Sequence, residues 1–164
     1  MMKVIGVDPG LQVSGYAVVE QNRDEVKIID AGVIRADTRL TLGKRLRQIY
    51  QDILAILQEN QPELMAVEEL YAHYKHPRTA ILMGHARGMF LLAAAEQGIE
   101  VLDFAATRVK KSITGQGRAS KEQIQRAVTS QLRLARIPRP ADLADALAIA
   151  LCCLNEKNRE AIVS

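Results

Sequence analysis

The stretch that most constrains the fold is residues 3–10, KVIGVDPG. It is a short run of apolar β-formers that ends abruptly in Asp8, Pro9 and Gly10, a pattern typical of a buried central strand. A buried carboxylate is costly unless it is hydrogen-bonded, paired or bound to a metal. Two interpretations are therefore open. Either Asp8 belongs to a site at the carboxyl end of the strand, or the three residues only form a turn, for which all three types are common.

The segments that follow predict an α/β protein. Residues 13–20 and 26–34 have the pattern of two more strands joined by a polar turn, which indicates an antiparallel meander. Apolar residues at helical spacing predict an amphipathic helix over residues 41–60. Residues 64–69, LMAVEE, are a strand that again finishes in carboxylates. Because a strand, a crossover helix and a strand form a parallel pair, we expect the first and fourth strands to end side by side.

The length of 164 residues predicts a single domain over residues 1–164, with the last few residues as a flexible tail. No apolar stretch is long enough to span a bilayer, and the N-terminus enters a strand without a cleavable signal. We therefore expect a soluble, cytoplasmic protein with no membrane partner. Cys152 and Cys153 lie in an apolar helical pattern, which favours packed thiols over a disulfide or a metal site.

Positive charge is concentrated in one part of the chain. Residues 105–139 contain nine basic residues and one acid, a balance of +8, whereas the whole chain carries only +3. A solvated helix face is one explanation, but a polyanion such as nucleic acid would relieve the repulsion and is favoured. In the loop at residues 70–78, tyrosines alternate with cations, which suits base stacking. We interpret its histidines as surface contacts rather than metal ligands.

The next predicted helix begins at Pro77 and ends near residue 97. Between residues 80 and 95 its apolar side chains cover nearly the whole circumference, which indicates burial on two sides. Ala80, Gly84 and Gly88 are four apart on one face, so a neighbouring backbone could approach closely. That neighbour is either a second copy in a two-fold dimer or the protein's own sheet.

The last third of the chain predicts a fifth strand over residues 99–104 and a flexible loop over residues 112–118. This loop lacks the Lys-Ser/Thr ending of a nucleotide P-loop, so we do not interpret it as a nucleotide-binding loop. Ser120 and Gln123 have the spacing of a capping box, so a helix should start near Lys121. The final helix should begin at about residue 141.

Acids at element ends are candidates for a metal site. Asp142 and Asp145 are three apart and project from one helix face. The helix dipole explains Asp142, but Asp145 has no cation within one turn. If these two converge with Asp8 and a glutamate at 68 or 69, oxygen ligands alone would select Mg²⁺ or Mn²⁺. Two such ions can hydrolyse a phosphodiester, so the acids and the basic region together indicate a metal-dependent nuclease.

Five motifs in order resemble the RuvC family of Holliday junction resolvases, nearly end to end. They are IGVDPG with SGYAV behind it, AVEELY, GHARG, FAATRVKKSITGQGRASK and ADLADALAIA. The resemblance implies an α/β ribonuclease H-like fold with a five-stranded mixed sheet flanked by helices. It also implies two Mg²⁺ ions per active site, with Mn²⁺ as a substitute. The implied metal-binding and catalytic acids are Asp8, Glu68, Asp142 and Asp145.

The resemblance implies Glu68 rather than Glu69, because the family's acid directly follows two apolar residues. Strand alternation also directs the Glu69 side chain to the opposite face from that of Glu68. Some assistance from Glu69 stays open. Tyr71 matches the aromatic residue that relatives place near the junction centre, where phenylalanine is more usual. Lys110 and Lys121 match two lysines near the cleaved phosphate, and we expect Lys111 and Arg118 to contact DNA as well.

The implied activity is resolution of four-way junction DNA by paired symmetric nicks that leave 5′-phosphate and 3′-hydroxyl ends. The implied partners are a second copy, bound through the helix at residues 77–97, and a branch-migration helicase complex. Three alternatives stay open. The protein could bind junctions without cutting them, or act on structured RNA with the same fold. It could also be a sugar-kinase or actin-like ATPase, although those need two such domains.

Overall fold

The computed structural model describes residues 1–70 and 76–164, which form a five-stranded sheet with helices on both faces. The strands are β1 (Met2–Asp8), β2 (Val13–Asn22), β3 (Glu25–Arg35), β4 (Leu64–Glu68) and β5 (Glu100–Phe104). The helices are α1 (Leu42–Asn60), α2 (Pro77–Glu96), α3 (Ala106–Thr114), α4 (Lys121–Gln131) and α5 (Ala141–Val163). None of the helices in these described ranges is both long and apolar enough to cross a membrane.

The strand order is β3-β2-β1-β4-β5, and the sheet is mixed. β2 is antiparallel to both β1 and β3, whereas β4 is parallel to both β1 and β5. The predicted meander and the predicted parallel pair are both confirmed. Val7 pairs with Val67, so the residues that follow them, Asp8 and Glu68, lie at the same edge of the sheet.

The two faces of the sheet have separate cores because strand side chains alternate. α1 and α2 cover one face, where Ile49 and Phe90 pack with Ile5 and Val67. α5 covers the other face, with α3 and α4 packed against it. Cys152 and Cys153 are buried in α5 as free thiols, which confirms the expectation of packed cysteines.

α5 lies unusually close to the strands because glycines face it. A Cβ atom added to Gly6 would lie 2.2 Å from the carbonyl oxygen of Ala146, and one added to Gly15 would lie 2.0 Å from that of Asp142. These distances leave no room for a side chain. The backbone of α5 therefore rests directly on β1 and β2, and this contact fixes the position of its first turns.

The loop predicted over residues 112–118 is wrong in its first part. α3 continues through Thr114, because Val109 and Ile113 are buried one helical turn apart, and it ends at Gly115 with φ of 80°. The predicted start of α4 is confirmed, since Ser120 and Gln123 form a complete capping box. At the C-terminus, where a flexible tail was expected, α5 continues through Val163 with residues 158–164 exposed.

Candidate active site

Four acids from three elements meet at the carboxyl edge of the central strands. Asp8 is the last residue of β1 and Glu68 is the last residue of β4. Asp142 and Asp145 lie in the first two turns of α5, which crosses these strands. The fold thus brings together the acids that the sequence pattern had placed at separate element ends.

Asp8 lies at the centre of this cluster. Its pKa is raised to about 7, first by burial and then by the negative charges of Asp145, Glu68 and Asp142, with Lys121 opposing the shift. A carboxyl group whose pKa is raised this far is costly to ionise in the folded protein. The surroundings of Asp8 therefore favour either a proton or a cation at this position.

Its two neighbours show the same effect. Burial raises the pKa of Glu68, and the charge of Asp145 adds to the shift, while Lys110 and Lys121 oppose it. Burial also raises the pKa of Asp145, against the charge of Lys121. A hydrogen bond with Asp8 further opposes the shift in Asp145. The ionisation of Asp8 is therefore coupled to that of Asp145.

Two lysines, one on α3 and one on α4, complete the site. The Nζ atom of Lys121 lies 3.7 Å from an Oδ atom of Asp145, and 68% of the lysine side chain is exposed. Lys110 and Lys121 line a cleft of about 450 Å³ together with Glu68 and Asp145. The sequence pattern could not place Lys121 beside Asp145, because 24 residues separate them and only the packing of α4 on α5 joins them.

The donor set agrees with the chemistry of a hard divalent cation. All four groups are carboxylates, and their mutual repulsion at Asp8 is what a bound cation would relieve. As the side chains are oriented here, however, no three acidic, histidine or cysteine residues in the described ranges are grouped closely enough to hold one ion together. The residues therefore fit a divalent ion by composition and charge, without a preformed cage.

The turn after Asp8 has its own structural residues. The backbone N–H of Gly10 donates to Ser14 Oγ at 2.9 Å, and this hydroxyl donates to the Gly10 carbonyl at 2.8 Å. A Cβ atom on Gly10 would lie 2.1 Å from the Val13 carbonyl oxygen. The turn interpretation is thus correct for Gly10, whereas Asp8 belongs to the acid cluster. Sequence reasoning missed Ser14, a fully buried polar residue in an apolar strand.

The remaining predicted site residues lie at varying distances from the acids. Glu69 is exposed beyond the end of β4, although it borders a small cavity with Asp8 and Glu68. Arg118 is exposed in the loop between α3 and α4. Lys111 lines a different groove, with Arg108 and Glu156, and so does not join Lys110 beside the acids. Tyr71 lies outside the described residues.

The sheet order, the two parallel crossovers and the acids at the ends of β1 and β4 define the ribonuclease H-like class of fold. A family model for crossover junction endodeoxyribonuclease RuvC matches residues 4–153. This chain therefore belongs to the RuvC family.

Individual relatives agree with the family match over nearly the whole chain. A crossover junction endodeoxyribonuclease RuvC from Rhodopirellula baltica is 50% identical over 149 residues, which cover 91% of this chain and 84% of that protein. The enzyme of the same name from Thermosipho melanesiensis is 44% identical over 151 residues, covering 92% of this chain and 96% of that protein. The solved structure of T. thermophilus RuvC in complex with Holliday junction substrate has a TM-score of 0.91 and 33% identity. The match covers 98% of this chain and 97% of the T. thermophilus chain.

Proposed function

We propose that the protein is an endonuclease that resolves four-way (Holliday) DNA junctions in recombination and repair. The observation that carries this proposal is the convergence of Asp8, Glu68, Asp142 and Asp145 at one sheet edge in a chain of the RuvC family. Hydrolysis of one phosphodiester in each of two opposed strands, leaving 5′-phosphate and 3′-hydroxyl ends, would separate a junction into two duplexes.

The four carboxylates would hold two Mg²⁺ ions, with Mn²⁺ as a substitute. When bound, such ions supply an activated water molecule and stabilise the leaving oxygen. Asp8 would be the central ligand of this set, because the charges of the other three acids all act on it. Asp142 and Asp145 are held in place by the close contact of α5 with Gly15 and Gly6.

Lys110 and Lys121 would hold the phosphate that is cleaved. Both line the cleft beside Glu68 and Asp145, and both carry positive charge into an otherwise acidic site. The exposed Lys121 side chain can leave Asp145 for a phosphate oxygen without uncovering a buried group. We extend the DNA-binding proposal to Arg118 and Lys111 on the same basic region, and to Tyr71 as a stacking residue.

A second copy would bind through the outer face of α2. Ile81 and Leu92 are large apolar residues with 63% and 45% of their surface exposed, and with His85 and Gly88 they follow a 4-3-4 spacing along one face. A Cβ atom on Gly88 would meet no atom of the described residues within 4 Å. At Gly84, by contrast, it would lie 3.5 Å from Leu70. The helix surface at Gly88 is therefore open within the described part of the chain, and it would permit close approach of a partner helix.

A symmetric dimer would match the symmetry of the substrate. A C₂ dimer presents two identical sites related by one axis, and a four-way junction with two-fold symmetry presents two equivalent phosphates. Paired nicks follow from this match. A branch-migration helicase complex remains a predicted partner, with no surface of this protein proposed for it.

The proposal is tested by offering the purified protein a panel of substrates in Mg²⁺. Mobile and fixed four-way junctions should be cut symmetrically, whereas linear duplex should not be cut. Tight junction binding without cleavage in Mg²⁺ or Mn²⁺ would instead identify a junction-binding protein. Preferential cleavage of structured RNA in direct competition would identify an RNA-directed enzyme. Either of these two results would overturn the proposal.

A further inference from the structure

A second group of cations lies at the edge of the sheet that carries the acids, on the side away from α3 and α4. Residues 35–47 contain five basic residues and one acid. They form the end of β3, the following loop and the first turns of α1. We call this group the α1 basic patch; it consists of Arg35, Arg39, Lys44, Arg45 and Arg47.

The sheet places the α1 basic patch at the same edge as Asp8. β3 and β1 run in the same direction, since both are antiparallel to β2. Arg35 pairs with Val13 and Asp8 pairs with Gly15, so both β3 and β1 end beside the start of β2. Two strand spacings separate β3 from β1, which is a distance of about 10 Å.

Hydrogen bonds connect the patch to the turn that follows Asp8. The Nη2 atom of Arg45 donates to the carbonyl oxygen of Leu11 at 3.2 Å, and the backbone N–H of Ala36 donates to that of Gln12 at 2.9 Å. Leu11 is three residues beyond Asp8, which limits their separation to about 11 Å. The patch therefore lies beside the turn that follows Asp8, at the edge of the sheet that carries the acids.

Most of the positive charge in the patch is not neutralised. Arg39 pairs with Asp37 at 2.9 Å. Arg35, Lys44 and Arg47 are exposed, and none of them forms an ion pair within residues 1–70 and 76–164. Residues 71–75, YAHYK, contain no acid in the sequence. The first turn of α1 also contains no acid, so the positive end of the helix dipole adds to the field.

Cations thus flank the acid cluster on two sides. Lys110 and Lys121 belong to α3 and α4, on the face of the sheet that α5 covers. The α1 basic patch lies at the end of β3 and on α1, which covers the opposite face. A DNA strand that places one phosphate at the acids must extend past them in both directions. The shared sheet edge favours this polyanion over an acidic protein as the ligand of the α1 basic patch.

We propose that the α1 basic patch binds the phosphate backbone of a duplex arm leading away from the cleaved phosphate. This inference rests on the proposed function, because it assigns a second contact surface to the same substrate. Arg35, Lys44 and Arg47 each neutralise a phosphate, while Arg45 holds the patch to the turn after Asp8. The patch contributes to affinity and to the placement of the junction, and it does not touch the reacting atoms.

The test is the triple variant Arg35→Gln, Lys44→Gln, Arg47→Gln. Junction binding is measured in EDTA over a range of salt concentrations. Loss of three phosphate contacts should reduce the slope of log affinity against log salt by about 2 to 3. Affinity near physiological salt should fall by about tenfold or more.

A control removes two positive charges from the opposite end of the sheet. Arg23→Gln, Lys27→Gln changes two cations of the β2–β3 hairpin, which line a groove with the segment after α4. This control should leave the salt slope unchanged. Thermal unfolding of both variants checks that the fold is intact.

Neutral methylphosphonates in the junction identify the phosphates that are contacted. Replacing three consecutive phosphates in the contacted arm should weaken binding by the wild type but not by the triple variant. If the triple variant binds with wild-type affinity and slope, or if no phosphate position shows this coupling, the inference is wrong while the proposed function stands. If the wild type neither binds nor cuts junctions, the proposed function itself fails.

Discussion

α5 and α2 have similarly apolar sequences, yet the fold uses them differently. In α5, all the apolar residues from Ala144 to Leu154 are buried, against β1 and β2 on one side and α3 and α4 on the other. In α2, only four residues are buried, and Ile81 and Leu92 are exposed. The protein's own chain covers α5 on two opposite sides, whereas α2 packs on the sheet and α1 and leaves the face with Ile81 and Leu92 open.

The glycines at these two helices show the same difference. At Gly6 and Gly15 an added Cβ atom would lie within 2.2 Å of the α5 backbone, whereas at Gly88 it would meet nothing in the described part of the chain. The first pair lets α5 set its acids beside Asp8. The open position on α2 leaves room for a second copy. A helix whose sequence is apolar on all sides is therefore not necessarily covered on all sides by its own chain.

The largest expected effect comes from placing charge on the exposed face of α2. The double variant Ile81→Glu, Leu92→Glu should weaken the dimer about 1,000-fold, since a symmetric interface would bury four carboxylates. The isolated chain should remain folded, because both positions are exposed. Sedimentation equilibrium measures the change, and Ile162→Glu, Val163→Glu on the exposed end of α5 is the matched control. If the wild type is a monomer, or if the double variant dimerises as tightly as the wild type, α2 is not the interface.

The next effect is at the contact between β1 and α5. Gly6→Ala should destabilise the protein by about 3 kcal/mol, since the new methyl group collides with the backbone of Ala146 and with Ala150. Urea unfolding monitored by circular dichroism measures the loss. If stability is unchanged, α5 does not rest on β1 as closely as described.

A smaller effect comes from the charge cluster at the end of β1. In EDTA at pH 8, Asp8→Asn should stabilise the protein by about 2 kcal/mol. The reason is that a pKa raised to about 7 makes the ionised Asp8 carboxylate less favourable in the folded state than in the unfolded state. The wild type therefore loses stability as the pH rises from about 4 to 7, and the gain should disappear near pH 4. Chemical unfolding at both pH values is the measurement, and a loss of stability at pH 8 would show that the Asp8 carboxylate supports the fold.

The smallest expected effect on stability is at Gly88, the glycine of α2 that has open space beside it. Gly88→Ala should raise the stability of monomeric protein by about 0.5 to 1 kcal/mol, since alanine has the better helix propensity and the Cβ atom has open space. It should also weaken dimerisation, because the added methyl group keeps the partner helix farther away. Urea unfolding in the Ile81→Glu, Leu92→Glu background isolates the first effect. A destabilised monomer would mean that this face is already occupied by the protein's own chain.

Local patterns were sufficient to predict the main elements. The alternation and apolar runs predicted all five strands, and helical spacing predicted α1, α2 and the start of α5. The crossover rule placed the ends of β1 and β4 together. α3 was missed because its nine residues present only Val109 and Ile113 as buried positions, a signal too short to separate from a loop.

Contacts between distant segments could not be predicted in the same way. The residues themselves left the choice between Glu68 and Glu69 open, and the fold shows Glu68 within the charge cluster and Glu69 exposed. The approach of Lys121 to Asp145 depends on how α4 packs, which no local pattern encodes. The open side of Gly88 likewise appears only when the neighbours of α2 are known.

In the proposed cleavage site, the acids on α5 act together with those at the strand ends. The most direct test of this joint action is single-turnover cleavage of a preformed junction complex in Mg²⁺ by Asp145→Asn, which nearly preserves side-chain shape and removes one charge. We expect cleavage at least about 1,000-fold slower than by the wild type, with junction affinity within a few-fold of the wild-type value. Wild-type cleavage by a variant that binds normally would contradict it.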